Sequence, residues 1–242
     1  MSASLRIKLS DYVAQTLANY GVRHVFMLTG GGAMHLNDSL GHEPRIRVIC
    51  NHHEQACAMA AEGYARVTGH IGVINVTTGP GGINALNGVF GAWTDSIPML
   101  VISGQVKRET MMGTYNIPGL RQLGDQEADI ISMVKGITKY AVTVTDPYSI
   151  RYHLDKALHL ATSGRPGPCW LDIPIDVQAS PIEIDKLIGY DLAEDAPRWE
   201  MDQIAQQCRV IIERLKTSVR PVILAGSGVR HAHALSIFDT VI

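Results

Sequence analysis

At 242 residues, 46% hydrophobic and 18% charged, the chain has the composition of a globular protein with room for one full domain and part of a second, which excludes a disordered polymer. Its formal charge of -2, with the basic residues scattered, offers no basic face, so neither nucleic acid nor an anionic membrane is an expected partner. The opening "MSASLRIKLSDYVAQ" has no signal-peptide run, and no apolar stretch approaches the roughly 18 residues of a membrane span, so a cytoplasmic protein is expected.

In chain order, short runs of Val, Ile and Leu alternate with segments of helical period. "HVFML" (24–28), "IRVIC" (46–50), "IGVINV" (71–76), "MLVIS" (99–103), "AVTV" (141–144) and "CWLDIP" (169–174) are mostly apolar on both parities, as strands buried on two faces should be. Helices are predicted at 9–20, 53–68, 81–93 and 147–163; the last has Asp146 as cap, Pro147 in its first turn and Gly164 after its end. Each parallel crossover needs a long connection, so the alternation predicts an α/β fold, doubly wound, with a mainly parallel six-stranded sheet and helices on both faces. Cys50, Cys57, Cys169 and Cys208 form no CxxC pair and are expected as buried reduced thiols.

A first domain is expected over 1–180. Residues 181–200, acidic and without a clean period, read as a linker. Residues 201–218 have helical spacing, "PVILAG" (221–226) reads as a strand, and "SGVRHAHALSIFDTVI" begins another unit. Domains of about 60 residues are already marginal, so 201–242 reads as the incomplete start of a second α/β domain, and the whole as the front part of a longer protein.

Ligands of an open parallel sheet bind beyond the carboxyl ends of its strands. Four segments there are unusual: "TGGGAMH" (29–35), "NHHEQ" (51–55), "TTGPGGIN" (77–84) and "SGQV" (103–106). Gly30, Gly31, Gly32, Gly79, Gly81 and Gly82 suggest close backbone approach to a ligand or another chain, although ordinary strand-to-helix turns also demand glycine. Neither glycine loop carries the lysine of GxxxxGK[ST] or completes GxGxxG with its acidic partner, and "GSGVRH" (226–231) begins like that fingerprint but ends in His231. "HHEQAC" opens like HExxH but holds Cys57 where the second histidine belongs, so no metal is assigned to it.

Glu54 stands in a first helical turn. There it is either a bland acid favoured by the helix dipole or a functional one, on which desolvation and the helix terminus push in opposite directions. Ala56, Met59, Ala60, Gly63 and Val67 share one helical face, which lets the helix approach a neighbour closely and carry Glu54 into an interface; ordinary helix-on-sheet packing explains them equally well.

Together, "VFMLTGGGAMHLNDSL", "HHEQACAMAAEGYARVTG", "GVINVTTGPGGINALNGVFGAWTDSIPMLVISGQV", "GDQEADI", "ITKY" and "RPGPCWLDIPIDV" resemble the N-terminal, pyrimidine-binding domain of thiamine diphosphate enzymes of the acetolactate synthase type. The likeness runs from about residue 5 to 180, with agreement in segment order and spacing, and 201–230 resemble the start of that family's central domain.

The resemblance implies that Glu54 hydrogen-bonds the pyrimidine N1′. An acid there favours the 4′-imino tautomer, whose nitrogen takes the proton from thiazolium C2. It also implies a 2-keto acid substrate such as pyruvate, its decarboxylation, and addition to a second carbonyl compound. It places Gly79, Pro80, Gly81 and Asn84 around the pyrimidine, Gly31 and Gly32 near the reaction centre, and Gln126 facing substrate. The cofactor lies between two subunits in this family, so a homo-oligomer, a dimer or tetramer, is implied.

"LTGGGAMH" and "RQLGDQE" depart from the usual "PGGAxLP" and "AFQE" and resemble carboligases that use a keto-sugar acceptor. His35 is then a substrate candidate or an ordinary rim histidine. The GDG and asparagine pair that holds Mg²⁺ and diphosphate in the family is not found in the 242 residues, where Gly124-Asp125 is the only Gly-Asp pair; no metal ligand is assigned, and Mg²⁺ is expected on a domain outside this chain. An FAD-requiring acetolactate synthase, a plain 2-keto acid decarboxylase and a non-catalytic assembly or regulatory chain are the rival readings.

Overall fold

The computed structural model describes residues 6–115, 117–196 and 199–242 and divides into two compact units, Met1–Leu192 and Ala193–Ile242. The first unit runs β1 (Arg6–Lys8), α1 (Leu9–Tyr20), β2 (His24–Met27), α2 (Met34–His42), β3 (Arg47–Cys50), α3 (Glu54–Thr68), β4 (Gly72–Val76), α4 (Pro80–Thr94), β5 (Met99–Gln105), α5 (Ile130–Val134), β6 (Tyr140–Thr143), α6 (Ile150–Thr162), β7 (Pro168–Pro174), α7 (Ile175–Gln178) and β8 (Pro181–Glu183). Six strands form one parallel sheet in the order β3-β2-β4-β5-β7-β6, which is the doubly wound α/β class expected from the alternating pattern.

Strand alternation splits the core into two layers. Val73, Leu100, Ile102, Cys169 and Leu171 pack with α1, α2 and α6 on one face. Ile74, Val76, Met99, Val101 and Trp170 pack with α3, α4 and α5 on the other. Helix ends follow local chemistry. Gly21 and Gly69, at φ +105 and +75, terminate α1 and α3 in the left-handed conformation that glycine adopts without strain. Asp146 accepts from the Tyr148 N–H at 3.0 Å at the turn leading into α6.

Three expectations change. Residues 181–187, in the expected linker, pack on the first unit: β8 pairs antiparallel with β1, and Ile182 and Leu187 are buried. Their apolar side chains gain more from burial than the flanking acids lose, because those acids stay at the surface. Tyr190 extends this attachment, edge-on to Tyr152 at 5.7 Å and with Lys156 Nζ 5.4 Å from its ring. Cys57 and Cys169 are buried, but Cys50, at a strand end, and Cys208 are exposed; all four are free.

In the second unit α8 (Met201–Thr217), α9 (Gly228–His231) and α10 (Leu235–Val241) form, but 221–226 is not a strand. A strand needs a neighbour to complete its ladder, and none pairs with this segment among the described residues. No described helix is long and apolar enough to cross a membrane.

Candidate active site

The chain leaves β2 toward β3 on one side and leaves β4 toward β5 on the other, although β2 and β4 are neighbours. That divergence is the switch point at which open α/β sheets leave a crevice. Here the two loops meet each other. The Gly32 N–H donates to Thr77 Oγ1 at 3.1 Å. A Cβ at Gly30 would lie 2.4 Å from Thr77 Cβ, and one at Gly32 only 1.9 Å from Thr78 Oγ1. Gly31, by contrast, has open space where its Cβ would be. The glycines at 30 and 32 are therefore required by contact between loops, which the sequence could not distinguish from contact with a ligand.

Amides, buried at Gln178 and Asn75 and half-buried at Asn37, fix the same loop from behind. Gln178 Nε2 donates to the Gly32 carbonyl and to the Ile173 carbonyl, both at 2.7 Å. Asn37 Nδ2 donates to the Gly30 carbonyl at 3.2 Å, and Asn37 Oδ1 accepts from Asn75 Nδ2 at 2.7 Å. These residues escaped the sequence reading. The available signal was a lone asparagine inside the apolar run "IGVINV" and a glutamine closing "DIPIDVQ", since a buried polar side chain needs a partner.

Glu54 opens α3. His53 caps that helix, its Nδ1 accepting from the Gln55 N–H at 3.1 Å. The Glu54 side chain is buried, 7% exposed. Its Oε2 accepts from Asn84 Nδ2 at 3.0 Å, and a Cβ added at Gly81 would stand 3.4 Å from its Oε1, so glycine at 81 keeps room beside that oxygen. Pro80 occupies the first position of α4, where a missing N–H removes no helical bond, and it is exposed. Thr78 Oγ1 is buried with no hydrogen-bond partner among the described residues.

Glu54, Gly32, Gly79, Gly81 and Asn84 thus gather at the carboxyl rim where the segments after β2, β3 and β4 meet. Gln126 joins through its backbone. It has φ +58, and its carbonyl oxygen lies 2.0 Å from where a Cβ at Gly79 would be; its side chain is exposed. His35, half-buried in the first turn of α2, contributes to holding the Asp38 carboxyl below its ordinary range, after the larger effect of Lys8. Among the described residues no hydrogen bond ties it to Glu54.

The close approach of α3 to α4 is real, but a different face makes it. A Cβ at Gly88 would come within 2.5 Å of Ala58 Cβ, and Cys57, Ala58, Ala61 and Ala65 are the buried side. Met59 and Val67 of the expected face are exposed, as are Ile83 and Phe90 of α4. The reason is the helical offset: the alanine stripe one position further round points at the sheet.

Beneath the rim, on the face of α4 and α5, Asp172 is fully buried. Burial pushes its carboxyl up to about 7, against donors that pull it down: Ser103 Oγ at 2.6 Å, Gln105 Nε2 at 3.0 Å and Thr143 Oγ1 at 3.2 Å. A separate cleft of about 480 Å³ between α1 and α2 is lined by Asp11, Asp38 and Glu43, which pair with Lys8 and Arg45.

Residues 7–133 match the family described as thiamine pyrophosphate enzyme, N-terminal TPP binding domain. The acetolactate synthase large subunit of Lactococcus lactis is 35% identical over 234 residues, covering 95% of this chain and 38% of that protein. Chloroplastic acetolactate synthase 3 of Brassica napus is 37% identical over 227 residues, 91% of this chain and 32% of its own length. The chain therefore spans about a third of the length of these curated relatives. A matched domain over more than half the chain, on a parallel α/β sheet with its crevice at the switch point, places this chain in the thiamine pyrophosphate enzyme family, among the acetolactate synthase-like members.

Proposed function

We propose that the chain is the pyrimidine-binding part of a thiamine diphosphate-dependent carboligase that decarboxylates a 2-keto acid such as pyruvate and joins the remaining unit to a second carbonyl compound, a keto-sugar among the candidate acceptors. The observation that carries this reading is the buried Glu54 carboxyl, engaged by Asn84 through one oxygen with glycine-lined space beside the other. The crevice suits an aminopyrimidine: an acid able to share a proton with a ring nitrogen, backbone brought close by glycines, and the unpartnered Thr78 hydroxyl.

Within it, Glu54 would hold a proton at Oε1 toward the ring nitrogen, while the Asn84 amide keeps Oε2 from rotating away. Gly79, Pro80 and Gly81 would form the wall at the head of α4, and Gly31 and Gly32 the opposite one, with Gln126 and His35 on the substrate side. When bound, thiamine diphosphate supplies an electron sink for carbon–carbon cleavage and ligation. Its diphosphate and Mg²⁺ fall to a domain outside these residues, and FAD is a further cofactor of the acetolactate synthase reading.

A homo-oligomer with the cofactor at the subunit boundary is part of the proposal. Exposed Met59, Val67, Ile83 and Phe90, on the two helices α3 and α4 that pack together, support it, since apolar surface of this kind suits a protein contact. A cytoplasmic location completes the reading, with chloroplastic relatives as the alternative setting.

Pyruvate given to the full-length protein with thiamine diphosphate, Mg²⁺ and FAD, first alone and then with a keto-sugar, tests it. Acetolactate, or a two-carbon product joined to an added keto-sugar, supports the carboligase. Carbon dioxide with free aldehyde instead identifies a decarboxylase. Absence of thiamine diphosphate binding sinks both and leaves a non-catalytic assembly chain.

A further inference from the structure

The stretch "SGQV", residues 103–106, is the rim segment that the pyrimidine reading leaves without a task. It is the end of a strand: β5 continues through Gln105, and Ser103, Gly104 and Gln105 are all buried. Alternation sends Gly104 to one face and Ser103 and Gln105 to the other. On the first face a Cβ at 104 would meet the Gly32 carbonyl oxygen at 2.1 Å and the Ala33 nitrogen at 2.6 Å. The glycine loop is thus laid directly on the strand end.

On the other face the Gln105 amide makes three bonds. Its Oε1 accepts from the Val106 N–H at 3.0 Å, and its Nε2 donates to the Ala128 carbonyl at 3.0 Å and to Asp172 Oδ2 at 3.0 Å. Reversing the amide would set N–H against N–H and oxygen against two acceptors, so its orientation is fixed. Asp172 is itself anchored by Ser103 and Thr143, and Ser103 Oγ accepts from Trp170 Nε1 at 2.8 Å.

Gln105 therefore reaches from a rigid buried carboxyl to a loop. That loop turns at Gln126, whose φ of +58 is unfavourable for a residue with a side chain, and the Gln126 carbonyl fits only because residue 79 lacks a Cβ. Glu127 steadies the same turn, accepting from the Met112 N–H at 2.6 Å and the Gly124 N–H at 3.1 Å. Strain of this kind persists where surrounding bonds over-determine it.

We infer that Gln105 is a positioning residue: by tying the Ala128 carbonyl to Asp172 it holds the Gln126 turn against Gly79 at the head of α4, so that both walls of the Glu54 crevice are referenced to one strand end. The inference rests on the proposed function only in giving Gln126 a substrate to face.

Hydrogen–deuterium exchange on the full chain, read by mass spectrometry, tests the brace without cofactor or substrate. Gln105→Glu keeps the shape but sets three acceptors together; Gln105→Met keeps the length and removes the bonds. Within 122–129 the Gly124 and Glu127 amides, which donate across the turn, should exchange roughly ten-fold faster in both variants, with those of β4 and β7 unchanged. Combining Gln105→Glu with Asp172→Asn should remake the 105–172 bond but leave the loop unprotected, because a carboxylate oxygen still faces the Ala128 carbonyl. Unaltered exchange of 122–129 in Gln105→Met overturns the inference. Equal loss of protection across β4 and β7, or loss of the fold in both variants, also overturns it, since Gln105 would then serve core stability alone. A loosened turn in the variants together with failed carboligation in the parent would count against the enzyme reading and leave the brace standing.

Discussion

Asn84 Nδ2 donates to Glu54 Oε2 at 3.0 Å, and this one hydrogen bond joins the first turns of two helices that leave different strands. It holds one oxygen of a buried carboxyl in place. Asn84→Ala is expected to lower stability by about 1 kcal/mol, because a hydrogen bond to a buried carboxyl is lost. A urea titration checks this: the midpoint should fall at unchanged slope.

Glu54→Gln keeps an oxygen for Asn84 and removes the exchangeable proton. The fold should persist, with circular dichroism and melting near the parent's. In the full-length protein the C2 proton of bound thiamine diphosphate should exchange with solvent roughly 10²–10⁴-fold more slowly, the usual range for loss of a general acid–base group. Exchange as fast as the parent's would remove Glu54 from the proposed role.

Gly31 and Gly32 are adjacent and predict opposite outcomes. Gly32→Ala drives a Cβ to 1.9 Å from Thr78 Oγ1, whereas Gly31→Ala meets nothing within 4 Å. Overpacking at 32 should cost about 1–3 kcal/mol, and the change at 31 should leave the melting temperature within a degree or two, roughly. Equal effects in thermal melts would show that the two loops do not meet as described.

Asp172 sets a pH dependence with a definite sign. Its carboxyl is raised from 3.8 to about 7 by burial, with the like charge of Asp129 adding to the effect, so the folded state binds the proton more tightly than the unfolded chain. Stability from this group is fully present below about 4 and is lost as pH rises toward 7. Asp172→Asn should flatten that segment of the stability–pH curve, measured by urea unfolding at pH 4 to 8. A parallel curve in the variant would assign the slope to other groups.

The six sheet strands and four of the helices were legible in the sequence, although Asp146 caps the short turn ahead of α6 and that helix ends at Ser163 rather than Gly164. Apolar runs on both parities, Asp146 before Pro147, and glycine after a helical period act over a few residues and need no tertiary partner. Glu54 and the glycine loops were legible as a rim. Two things came only with the fold: why Gly30 and Gly32 are glycines, and which face of α3 is buried. The β1–β8 pairing, the insertion of β7 between β5 and β6, and the Gln178 bond to Gly32 across 146 residues likewise depend on chain-distant groups meeting. Spacing within a segment carries no information about a partner that loop closure brings from elsewhere, so periodicity and capping specified the elements while the packed sheet decided which polar atoms found each other.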